Sequence, residues 1–145
     1  MKKKHGDPTQ NLANWIAKLK EPGKLSDLSP IAQRFVFSLR LVAVYRKAGR
    51  DPVAELTARM GTVTVAVRAL QLIESFAHAW PDPLQLRRCC CQLLSFDELT
   101  LSAALQAAAD GERCVFEHQL ADMLPSEVRE TVWASAIEYV TAEFA

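Results

Sequence analysis

The sequence predicts an all-α fold, a compact single-domain bundle of six to eight short-to-medium helices. Three observations predict it. Helix-start signals recur along the chain: Asp7-Pro8, Ser29-Pro30, Asp51-Pro52, Asp82-Pro83 and Pro125-Ser126, with a capping box at Ser95-Phe-Asp-Glu98. Between these signals the apolar residues return every three or four positions. No hairpin turn, clear strand pair or internal repeat stands against them.

The elements follow in order. Asp7-Pro8 opens a short helix to about Lys20, with Leu12, Trp15, Ile16 and Leu19 on one face, and Glu21-Pro22-Gly23 stops it. Ser29-Pro30 opens a strong helix, PIAQRFVFSLRLVAVYRKA, whose basic last turn is followed by Gly49. A third helix runs from Asp51-Pro52 to about Met60 and ends at Gly61. The segment TVTVAVRALQLIESFAHAW begins with the strand-like alternation of Val63, Val65 and Val67. It then keeps helical spacing through Leu70, Ile73 and Ala77, and reads as helix because a lone strand has no partner. Asp82-Pro83 starts a short helix that carries Cys89, Cys90 and Cys91. Ser95 caps LTLSAALQAAA, which ends at Asp110-Gly111. Two more helices follow, from about Glu112 to Met123 and from Pro125-Ser126 to near the last residue.

The chain has 145 residues, half of them apolar and 23% charged, in keeping with one soluble globular domain. No apolar run reaches the roughly 18–20 residues that span a bilayer. MKKKHGDPTQN has no apolar stretch behind its positive start, so it does not read as a signal peptide. The expectation is a cytoplasmic protein with its four cysteines reduced.

Net charge is zero but unevenly placed. Residues 1–50 carry eleven Lys and Arg against three acids, a net +8, and residues 51–145 carry six Arg against fourteen acids, a net −8. Either the two parts attract each other, within a domain or between subunits, or the basic part meets nucleic acid or another acidic partner. The first is preferred. The expected organisation is a basic N-terminal arm with a short amphipathic helix, 1–28, and a helical bundle domain, 29–145. The acids at 112, 117, 127, 130, 138 and 143 read as a solvated face.

Three readings of RRCCCQ compete. Neighbouring residues in a helix point about 100° apart, so the three thiols cannot all reach one ion. A zinc site would need one of Cys89, Cys90 and Cys91 together with Cys114, His118 and His78, and no CxxC or HxxxH marks one. A redox role would draw on Arg87 and Arg88 beside the thiols. The preferred expectation is two thiols in the core and one nearer solvent, with no cofactor. His78 is expected to pack beside Trp80.

PVAELTARMGTVTVAVRALQLIE has the outline of a helix-turn-helix over residues 53–74. Its second helix would begin with Thr62, Val63, Thr64 and Val65, and only Arg68 and Gln71 could read a base. Two packed helices joined at a glycine are the simpler account. No Gly-rich phosphate loop, GxSxG elbow or HExxH is present.

The order VRALQLI, then CCC, then FDEL opening an alanine-rich helix resembles a group of small uncharacterised bacterial all-helical proteins, a domain of unknown function with a CCC run before an acidic helix start. The resemblance covers about residues 30–125, and its distinctive element is Cys89-Cys90-Cys91 followed by Asp97-Glu98. The run in that group is often flanked by proline, where this chain has Arg88 and Gln92. The resemblance implies an all-α, cytosolic protein and implies no activity, substrate or cofactor.

The functional expectation is therefore a non-enzymatic helical protein that binds another macromolecule or itself. Its partner-binding candidates are Lys2, Lys3, Lys4, Trp15, Lys18, Lys20 and Arg68. One alternative is a nucleic-acid-binding regulator using the basic arm with the degenerate helix-turn-helix. The other is a thiol-based zinc or redox protein centred on Cys89–Cys91.

Overall fold

Each predicted cap from Ser29 onward can be checked against a computed structural model that describes residues 23–145. Six α-helices are present among the described residues and no strand. They are α1 Pro30–Lys47, α2 Val53–Met60, α3 Val63–Ala79, α4 Phe96–Ala109, α5 Arg113–Leu120 and α6 Ser126–Glu143, and a 3-10 turn at Leu25–Asp27 precedes them. The helix expected over residues 8–20 lies outside the described residues.

The caps explain the boundaries. Ser29 Oγ accepts from the Ala32 amide and Pro30 occupies the first turn of α1. Thr62 Oγ1 accepts from the Val65 amide at 3.2 Å, so TVTV starts a helix despite its β-branched residues. Both halves of the Ser95–Glu98 capping box are formed. Gly61, at φ 96° and ψ −27°, lets the chain leave α2 through the left-handed region and enter α3 at once.

Helices α1 and α4 are the centre. From Phe35 to Val42 most of α1 is buried around its whole circumference. The small residues Ala104, Ala107 and Ala108 let α4 lie close to its neighbours α1, α5 and α6. The most extensive helix pairing is α3 on α6. At its heart Phe35 stacks obliquely on Phe76 and on Tyr139, with ring centroids 6.1 and 5.7 Å apart. Trp80 packs edge-on to Phe76. Trp133 lies apart from this group, against Phe116.

One expected helix is absent. Residues 81–94 are irregular, with a single turn in which the Cys91 amide donates to Arg88 O at 3.0 Å. Pro81 and Pro83 remove two donors at its start. Leu84 and Leu86 then pack on the core at two-residue spacing, the period of extended chain. Backbone groups that a helix would use internally go elsewhere. The Gln85 amide binds Asp97 Oδ2, the Leu25 amide binds Gln92 O, and the Leu94 amide binds Gly23 O. Residues 23–28, assigned to the arm from sequence, are thus fastened to the bundle through this loop.

The uneven charge meets across the fold. Arg34, Arg40 and Arg46 from the basic part pair with Glu143, Glu98 and Glu74 from the acidic part. This is the internal attraction preferred from the sequence. Glu143 is a correction to the solvated acidic face, since its side chain is only 8% exposed.

Candidate functional site

The most unusual polar feature is a fully buried ion pair. Arg40 projects from the middle of α1 and donates to Glu98 through Nε (2.7 Å, Oε2) and Nη2 (3.0 Å, Oε1). Its remaining donors reach the loop, Nη1 to Cys91 O at 2.7 Å and Nη2 to Leu93 O at 3.1 Å. Glu98 also accepts from the Ser95 amide at 2.9 Å and the Arg87 amide at 3.4 Å. The cap residue Glu98 therefore anchors both ends of the segment 87–95. Burial pushes the Glu98 carboxyl up, and the bonds from Arg40, the Ser95 amide and the Arg87 amide outweigh it, holding it below the ordinary carboxylate value. The Glu98 hydrogen bond raises the Arg40 guanidinium against the opposing effect of burial.

This clamp displays the cysteines. Cys89 and Cys90 are exposed at the centre of the Arg88–Cys91 turn, and Cys91 is half-buried. The expectation of two core thiols is overturned, because no helix is there to turn two of them inward. Arg87 and Arg88 are exposed beside the cysteines and have no carboxylate partner among the described residues.

The other metal candidates are elsewhere. Cys114 and His118 are exposed on α5, and His118 borders a groove between α4 and α5. His78 is exposed between α3 and α6, and Trp80, which it was expected to pack beside, is buried. Among the described residues no three His, Cys, Asp or Glu side chains converge as a metal site. The set combining a cysteine of the run with Cys114, His118 and His78 is not brought together.

Arg68 donates to Glu138 Oε2 at 2.8 Å and to Gln71 at 3.1 Å. Both side chains proposed to read bases are thus engaged with each other, and Arg68 with an acid of α6. At the start of α3 stand Thr62, Val63 and Thr64, all exposed, while Val65 is buried. Lys2, Lys3, Lys4, Trp15, Lys18 and Lys20 lie outside the described residues.

Two grooves of the surface carry apolar side chains. One, about 780 Å³, opens where α1, α2, α3, α4 and α6 bring their ends together, over Ile31, Met60, Val65 and Ala109. Arg34 crosses it, held bidentate by Glu143 at 2.8 and 2.9 Å and bonded to Met60 O. Tyr139 Oη donates to the same Glu143 at 2.7 Å. Burial, then the bond to and charge of Glu143, push the Tyr139 hydroxyl well above its ordinary value. The other groove, about 540 Å³, runs between Phe96, Leu99 and Ala103 on α4 and Met123 beyond α5. Phe96 is 75% exposed there. The sequence reading missed Phe96 because it scored FDEL as a cap and left its aromatic member unexamined. No helix of the described residues is long and apolar enough to cross a membrane. No family model matches the chain, and no curated protein or solved structure matches it.

Proposed function

We propose that this chain is a non-enzymatic helical protein that acts by binding another macromolecule or by self-association. The observation that carries the reading is the large aromatic Phe96 left in solvent at the start of α4, lining one groove with the exposed Leu99. A soluble domain that buries Phe35, Phe76 and Phe116 completely has an outlet for aromatic surface. Apolar side chains grouped at the rim of a groove are a mark of contact surfaces. The polar groups point the same way. Every buried polar side-chain atom among the described residues has a hydrogen-bond partner, and the buried Arg40 and Glu98 spend their bonds on each other and on the loop.

The test is native mass as a function of protein concentration, with and without chelator, for the unaltered chain and for F96E/L99E. Association that the double substitution weakens supports the reading. A monomer at all concentrations, together with unchanged binding of F96E/L99E to any protein partner then identified, defeats it. Chelator sensitivity would instead favour the zinc alternative, and tight salt-dependent binding of DNA or RNA the regulator alternative.

A further inference from the structure

We propose that the Arg88–Cys91 turn is a thiol–disulfide exchange site for small anionic disulfides, ending as a mixed disulfide on Cys89 or Cys90. Four observations support it. Two adjacent thiols are exposed at the tip of a turn, where a small disulfide can approach in line. The turn is held from beneath by the Arg40 bonds to Cys91 O and Leu93 O, so attack needs no opening of the fold. The exposed Arg87 and Arg88 flank it directly, and the exposed Lys24 pairs through its backbone with Leu93, two residues beyond the turn. Such a cluster raises the local concentration of an anionic reactant.

The chemistry balances without any group outside the two reactants. The cysteine sulfur, as thiolate, attacks one sulfur of the incoming disulfide. A protein S–S bond forms, the old S–S bond breaks, and the departing thiolate takes up the proton the cysteine lost. The neighbouring cysteine is poorly placed to displace the adduct. Adjacent Cα atoms are ~3.8 Å apart, shorter than the roughly 4.4–6.8 Å that a disulfide normally spans. The adjacent thiol therefore does not release the mixed disulfide once it has formed.

Cys114 supplies an internal control, since it is exposed on α5 beside Arg113, a cation that is already paired with Glu117 and Glu130. The folded full chain is treated with oxidised glutathione, and separately with the uncharged dithiodipyridine. The rate at each cysteine is read by peptide mass. The ratio of the two rates cancels differences in exposure. The ratio should be higher at Cys89 or Cys90 than at Cys114, and C89S/C90S should remove the adduct from the turn. It should fall roughly three- to ten-fold in R87Q/R88Q and similarly on raising salt. The Arg87 and Arg88 side chains bond nothing among the described residues, and circular dichroism would verify that the variant is folded. A ratio at Cys114 equal to that of the turn, a ratio unmoved in folded R87Q/R88Q, or a Cys89–Cys90 disulfide as the end product would each overturn the proposal.

Discussion

Arg40 and Glu98, 58 residues apart in the chain, meet in the interior with side chains 1% and 0% exposed. Between them they bond the backbone of Arg87, Cys91, Leu93 and Ser95. A helix of the core and the cap of another are thus joined to an irregular loop through one bidentate contact.

Removing one partner leaves the other charge buried without compensation. R40M and E98Q should each cost about 3–5 kcal/mol in urea denaturation. The double substitution R40M/E98Q should cost clearly less than the two single losses combined, because both remove the same contact. Additive losses would mean that the pair is not coupled.

Stability should also report the Glu98 carboxyl directly. Its folded value lies below the ordinary 4.5, so the folded state favours the ionised form. The contribution is fully present above that ordinary value and is lost as pH falls below it toward the folded value. Unfolding free energy followed downward in pH should drop more steeply for the unaltered chain than for E98Q.

Tyr139 gives the opposite limb. Its folded hydroxyl is raised above the ordinary 10.0, so the folded state favours the neutral form. That contribution is complete below the ordinary value and fades as pH climbs beyond it. Y139F should lose about 1 kcal/mol at neutral pH with the bond to Glu143, and its stability should decline less in alkali than that of the unaltered chain.

At Gly61 the prediction is purely one of backbone. A Cβ built there meets nothing within 4 Å, yet φ is +96°. G61A should therefore cost about 1 kcal/mol, measured by thermal or urea unfolding, through the left-handed conformation alone. An unchanged midpoint would mean that the α2–α3 junction relaxes.

The serine variants C89S, C90S and C114S should each shift stability by no more than about 0.5 kcal/mol, as exposed positions do. All three thiols should react with a thiol reagent in the native state. A requirement for denaturant at Cys89 and Cys90 would contradict their exposure.

Helix ends were readable because a cap is a local device. Ser29 and Ser95 bond amides three residues on, and a short window of sequence contains both partners; Thr62 does the same for α3, although TVTV reads as helix from the sequence only for want of a strand partner. What the windows could not contain was the second role of Glu98. A capping-box glutamate ordinarily sits at the surface, and nothing near residue 98 announces a guanidinium from residue 40. A clue did exist at the other end, in an arginine between Leu39 and Leu41, the one charged residue from Phe35 to Val44. The cysteine segment failed for a related reason. Helical spacing was assumed from Pro83 on, although Leu84 and Leu86 carry the two-residue period. The backbone partners that stabilise the loop, Arg40, Asp97 and Gly23, all come from outside it. The grooves at Phe96 and Arg34 depend on the meeting of helix ends, which no single segment encodes.

The separation of Arg40 from Glu98 also bears on how the chain is made. Arg40 is made with α1 before α4 exists, so its guanidinium has water but no carboxylate to accompany it into a core. Docking of α2 and α3 onto α1 cannot satisfy that guanidinium, and α6, the main partner of α3, arrives later still. Such distant pairing slows the closing of a core. Until residue 98 emerges, the unsatisfied charge should hold the early helices apart, so that they wait rather than collapse on a wrong neighbour. The bundle would then close in one late step, when α4 brings the carboxylate to the arginine.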